Sequence, residues 1–181
     1  WGAERTFDNS LSVQGIATAT LSRLHPDIVP PEYANEIAAK ASLQHVSADR
    51  IRAIEAAGGH DVIAITTALE EILTKEARSY PGMIRTSGDT TQSAKATQIR
   101  DSLEIVADSV ENLRDILIEK SLIWIDKPHM DVTHLYDAVP TVAGRPLAHY
   151  IEMLQSGLTV LKFFYGHSIK GKWGDVTGNH H

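Results

Sequence analysis

The chain has 181 residues and a mass of 19.8 kDa, enough for one domain, or for one domain and part of a second. It is 43% hydrophobic and 22% charged, a globular composition, and its lack of cysteine excludes disulfides, thiolate zinc sites and thiol nucleophiles. A net charge of −6 with no Lys/Arg stripe argues against nucleic acid as a partner, and no run of about 18 apolar residues reads as a membrane span.

Residues from about 7 to 24 are mixed in character and are closed by His25-Pro26. Pro30-Pro31-Glu32 reads as a helix start, since proline is tolerated in a first turn, and an Ala-rich run follows to Ala41. Asp49 to Ala57 reads as a short helix stopped by Gly58-Gly59. His60-Asp61-Val62 opens a helical stretch expected to reach about Arg78, before Tyr80-Pro81-Gly82 breaks it. The clearest pattern comes next. Ile99, Leu103, Val106, Val110, Leu113 and Leu117 recur at alternating spacings of four and three, which keeps one apolar stripe on one helix face. Leu147, Ile151, Leu154, Leu158, Leu161 and Tyr165 repeat that rhythm. A helix from 90 to 122 would be roughly 50 Å long, a rod whose stripe is expected to continue into an interface with other subunits. Arg145-Pro146 sits oddly in the second pattern: a helix begun at Thr141 would be kinked there. No stretch alternates as a half-buried strand does. The expected fold is all-α, an N-terminal helical domain over residues 1–85 followed by the first long helices of a central bundle over 86–181.

Several segments could carry chemistry. Thr86-Ser87-Gly88-Asp89 stands directly before the long helix; Ser87 and Asp89 are N-cap types, and the same place suits an anion drawn to free N–H groups and the helix dipole. Thr133-His134 lies in the connection between the long helices, where a histidine can act as general acid or base or simply face solvent. Asp131 and Asp137 flank it without a second histidine, so no metal site is expected. His60-Asp61 can cap its helix or bind a ligand. Gly171-Lys172-Trp173-Gly174 is a turn with a lysine, and His180-His181 is assigned no role.

The order of these segments resembles that of adenylosuccinate lyases, helical enzymes of the fumarase/aspartase superfamily. His60-Asp61-Val62 is similar to their His-Asp-Val segment, and Thr86-Ser87-Gly88-Asp89 to their Thr-Ser-x-Asp motif before the first long core helix. Thr133-His134, followed by Pro140-Thr141 and Gly144, resembles their Thr-His loop, and Gly171-x-x-Gly174 their later turn. The resemblance implies elimination of fumarate from a succinyl nucleotide by C–N cleavage, without a cofactor or metal, in a cytoplasmic homotetramer with sites shared between subunits. It makes His134 the candidate general acid and His60 a second catalytic candidate that orients substrate. Asp61, Thr86, Ser87 and Thr133 become the candidate binding residues for a small anionic substrate.

Departures from the family pattern are equally specific. Val132 stands where an arginine is usual, Leu135-Tyr136 where Gly-Gln is, Gly82 where a second histidine falls, and Val176 near an expected Gln or Tyr. The serine-bearing loop that supplies the proton-abstracting base is not in the sequence. The expectation is therefore a part of a longer protein, inactive alone. The sister readings are a carboxymuconate cycloisomerase, an argininosuccinate lyase, or a helical assembly module that has lost catalysis.

Overall fold

A computed structural model describes residues 2–174 and 177. The all-α expectation holds: those residues are 67% helical, the short 3₁₀ turn included, and their only regular β-structure is one short hairpin. Residues 1–99 with 170–181 form one compact unit and residues 100–169 a second.

The first unit begins with α1 (Ala3–Leu24), whose buried face is mostly polar: Ser10, Gln14, Thr18 and Ser22 recur every fourth residue beside Leu11. That is why its sequence shows no clean apolar stripe. It crosses α2 (Pro31–Lys40) closely at Gly15, where a Cβ would lie 3.0 Å from the Ala41 Cβ and 3.3 Å from the Ala38 Cα. Pro31 is the first residue of α2, as its missing N–H allows. α3 (Ala48–Ala56) is capped by the Ser47 hydroxyl, which accepts from the Arg50 amide at 3.4 Å. Its end is a Schellman motif: Gly58 at φ +97 donates to Glu55, and Gly59 donates to Ile54.

α4 (Asp61–Glu71) stops well short of Arg78, and only a 3₁₀ turn at Ala77–Ser79 follows. Side chains of α2 take the groups a longer helix would need. The Lys40 ammonium donates to the Ile72 carbonyl at 2.8 Å, and the Glu36 carboxylate accepts from both the Thr74 amide and its hydroxyl, at 2.9 and 2.6 Å. The core gathers between these helices around Leu11, Ile37, Ile51, Ile65 and Leu69. Tyr80-Pro81-Gly82-Met83 is a turn with proline second and Gly82 at φ +78 third, closed by the Met83 amide on the Tyr80 carbonyl. It delivers the chain to α5 (Ser87–Ile123), 37 residues or about 55 Å long, which belongs to this unit through Ile99.

In the second unit, the rest of α5 runs antiparallel to α6 (Gly144–His167). The pairing is marked by Glu111–Lys162 at 2.8 Å, Arg114 on Gln155 at 2.9 Å and Arg100 on the Tyr165 hydroxyl at 2.7 Å. Tyr165 in turn donates to Glu104. α6 starts at Gly144 rather than Thr141, so Pro146 lies in the first turn, where its missing N–H costs nothing and no kink is called for. Gly144 is required there, because a Cβ would sit 2.5 Å from the Ser121 carbonyl.

Between the helices, where the sequence suggests a plain connection, lies a hairpin of β1 (Pro128–Thr133) and β2 (Tyr136–Val142). Its register runs from Pro128↔Val142 to Thr133↔Tyr136, with an irregularity between Met130 and Val132. The strands are exposed or half-buried on both faces, so no burial pressure writes an alternating pattern into their sequence.

Candidate active site at the start of the long helix

The Thr86-Ser87-Gly88-Asp89 segment is held by its last residue. Thr86 immediately precedes α5, and the Asp89 carboxylate reaches back to accept from the Thr86 amide at 3.0 Å, as the third residue of a capping box does. The Asp89 side chain is fully buried. Burial pushes its carboxyl up, but the Lys172 ammonium at 2.8 Å and the Thr86 and Gly174 amides outweigh this and hold it below the ordinary carboxylate range. The Ser93 hydroxyl donates to the Lys172 carbonyl at 3.0 Å. Gly171 packs so close that a Cβ would meet the Ser93 Oγ at 2.7 Å. The Gly-x-x-Gly turn is thus docked on the first turns of α5, and Asp89, rather than Ser87, does the capping.

Thr86 and Ser87 instead line a cavity of about 580 Å³ together with His60, Glu70, Gly82 and Arg85. His60 occupies the N-cap position of α4 but caps nothing with its side chain. Its Nδ1 lies 2.6 Å from the Asp61 Oδ1, which also accepts from the Val62 amide at 2.7 Å. A partner at Nδ1 orients the ring and leaves Nε2 available. Asp61 therefore acts on His60, while His60, Thr86 and Ser87 share the cavity wall. Thr133 and His134 belong to the second unit. Both are exposed, and His134 is the first residue of the hairpin turn. That turn has positive φ at both central residues, His134 at 50° and Leu135 at 68°, the conformation usually given to Asn-Gly. Asp131 pairs with Arg145 at 3.1 Å. Val176 and His180-His181 lie outside the described residues.

Two cavity residues are not singled out by the sequence reading. Arg85 directly precedes Thr86, and a basic residue next to an anion-suited helix start is the available signal. Glu70 is three turns along α4 from His60, and burial raises its carboxyl above the ordinary value, opposed by Arg78. Gly82 uses its amide to donate to the Gln14 Oε1 at 2.9 Å, so the position that lacks the expected histidine is tied into the packing of α1.

A family model described as a lyase matches residues 4–178. This chain belongs to the lyase family. Among its relatives, the adenylosuccinate lyase of Methanocaldococcus jannaschii is 32% identical over 162 residues, covering 90% of this chain and 35% of that one. The adenylosuccinate lyase of Pyrococcus abyssi is 31% identical over 180 residues, covering 98% and 39%. The lyase chain thus spans less than two-fifths of the length of these curated relatives. Among solved structures, a fumarate lyase from Mesorhizobium sp. BNC1 superposes with a TM-score of 0.88 at 21% identity, over 99% of this chain and 42% of that one. A 3-carboxy-cis,cis-muconate lactonizing enzyme from Pseudomonas putida gives 0.85, also at 21% identity, over 99% and 41%. At that identity the likeness establishes the lyase fold alone. The resemblance to adenylosuccinate lyases carried by a few motifs extends along 90% or more of the chain.

Proposed function

We propose that the chain is the N-terminal part of a lyase that eliminates fumarate from adenylosuccinate, or a related succinyl nucleotide, by cleaving its C–N bond. The observation that carries this is the cavity at the start of α5, where His60, Thr86 and Ser87 meet in a chain similar over 90% or more of its length to two proteins named adenylosuccinate lyase. Thr86 and Ser87 offer hydroxyls and the positive end of a long helix to a carboxylate. His60, oriented by Asp61, binds and positions the substrate beside them. In the elimination, a base removes the proton from the carbon beside a carboxylate. The electron pair forms the C=C bond of fumarate, the C–N bond breaks, and a general acid protonates the leaving nitrogen. His134 is that acid and Thr133 its neighbour in binding. The strained turn at His134 and Leu135 supports the role, because such backbone persists where a side chain must be aimed. The base belongs to a further segment of the longer gene product.

The enzyme works as a cytoplasmic homotetramer in purine biosynthesis, with each site built from several subunits, so that His134 of one copy meets the His60 and Ser87 of another. It needs no metal or cofactor, since orientation and proton transfer carry the elimination. The test is cleavage of adenylosuccinate by the full gene product, followed by ultraviolet absorbance. His134→Ala is expected to lower kcat by roughly 10²–10⁴-fold, the contribution of general acid catalysis. A folded, oligomeric full-length protein without activity on adenylosuccinate would overturn the substrate assignment. Inactivity on succinyl substrates altogether would leave the departures at Gly82 and Val132 as marks of a non-catalytic assembly module.

A further inference from the structure

Among the residues lining the cavity at the start of α5, Arg85 is the single Lys or Arg and Glu70 the single carboxylate. The surroundings of Arg85 are unusual for a cation that is mostly withdrawn from water. Its Nη2 donates to the Gln14 Oε1 at 2.5 Å and reaches the Thr18 hydroxyl at 3.4 Å, both neutral acceptors. Its Nε is buried and has no partner, and the Trp173 ring lies 5.8 Å from the guanidinium carbon. No carboxylate among the described residues lies within ion-pair distance of it. Asp89 attracts it electrostatically but is already occupied by Lys172 and two backbone amides. Burial pulls the guanidinium down to about 10, against the pull of Asp89, so it stays charged at neutral pH.

A buried charge without a counter-ion is costly, and the cost falls when an anion arrives. The arrangement also holds the arginine in place. Gln14 accepts from both Arg85 and the Gly82 amide and donates to the Thr66 hydroxyl at 3.2 Å, so one amide group fixes the guanidinium and the turn before it. On the far side Arg85 borders a largely apolar cavity of about 530 Å³ that contains Trp173; the hydroxyls of Thr86 and Ser87 and the His60 ring are on the α4–α5 side.

We propose that Arg85 is the anion-anchoring residue of this cavity, taking a carboxylate or phosphate of the substrate between its guanidinium and the Thr86 and Ser87 hydroxyls. This deepens the lyase reading and rests on it for the identity of the substrate, though not for the binding of an anion. The planar, forked guanidinium suits either oxyanion. Glu70 across the cavity opposes a bound anion when ionised. Its raised carboxyl lessens that opposition as the pH falls toward the carboxylate range.

The test measures binding of fumarate and of inorganic phosphate to the full gene product from the shift each gives to the unfolding midpoint. Arg85→Met is expected to weaken at least one of them by roughly tenfold or more, the value of a charge-assisted hydrogen bond, and Arg85→Lys to recover part of the loss. Loss for fumarate alone places the succinyl end at Arg85, and loss for phosphate alone places the nucleotide end there. Gln14→Glu, nearly isosteric, puts a carboxylate against Nη2 while giving up the donation to Thr66; it is expected to weaken the same anion by a similar factor. Undiminished binding of both anions in Arg85→Met, or in Gln14→Glu should the first variant not fold, overturns the proposal. Wild-type protein that binds neither anion overturns it as well. Anion binding lost in these variants, in a protein that does not cleave adenylosuccinate, would sink the substrate assignment and leave Arg85 standing.

Discussion

His134 and Leu135 are each ordinary residues in an uncommon backbone conformation. Positive φ costs an L-residue about 1–2 kcal/mol, and here two neighbours carry it in succession. Leu135 is 96% exposed, so no packing within the chain compensates. Leu135→Gly is therefore expected to stabilise the hairpin by about 1 kcal/mol, read as a higher midpoint in urea unfolding. An unchanged or lower midpoint would mean that the exposed leucine is held by a partner. His60 and Asp61 are a simpler case: adjacent in sequence and joined by a 2.6 Å contact, they are legible as a pair from the order of residues alone. Arg85 is not, because nothing in a single Arg-Thr dipeptide says that a glutamine 71 residues earlier will face it.

At the scale of elements, the decisive joint is the docking of the Gly171–Gly174 turn on the first turns of α5. Lys172 keeps 41% of its side chain exposed, whereas Asp89 has 1%. Lys172→Met leaves that carboxylate with amide partners but no counter-charge in contact with it. The expected cost is roughly 2–4 kcal/mol, somewhat below that of breaking a fully buried pair, and Asp89→Asn in the same background should restore part of it. Thermal unfolding of the two variants checks this, and equal midpoints for Lys172→Met and wild type would show that the amides alone suffice. The helices themselves are visible in the sequence wherever their ends carry chemistry that punctuates the chain, as at Pro31 and Gly58-Gly59. α1 is not, because its buried stripe is Ser10, Gln14, Thr18 and Ser22 rather than aliphatic. The hairpin escapes a sequence reading for the opposite reason: it buries too little to leave any pattern.

At the scale of the molecule, the second unit buries a single apolar side chain completely, Leu158, while Ile105, Ile116, Met153, Val160 and Phe163 each stay more than half exposed. A run of exposed aliphatic and aromatic side chains on long helices is more than a lone soluble chain usually tolerates, and it supports the proposed association with other copies. Ile116→Glu combined with Phe163→Glu is expected to shift the full gene product to smaller species in sedimentation velocity without loss of helical circular dichroism. An unaltered oligomer would remove this face from the interface. The periodicity of leucine and isoleucine fixes helices from the sequence alone, since burial of one face at a 3.6-residue period is a local constraint. The order of short motifs is likewise local, and it is enough to point to the family. What only the tertiary structure decides is which polar groups end up facing one another: His60 with Thr86 and Ser87 around one cavity, Lys172 on Asp89, and Arg85 beside neutral acceptors instead of a carboxylate. Those meetings depend on how helices distant in sequence cross, and crossing is set by packing at places such as Gly15 that no local pattern records.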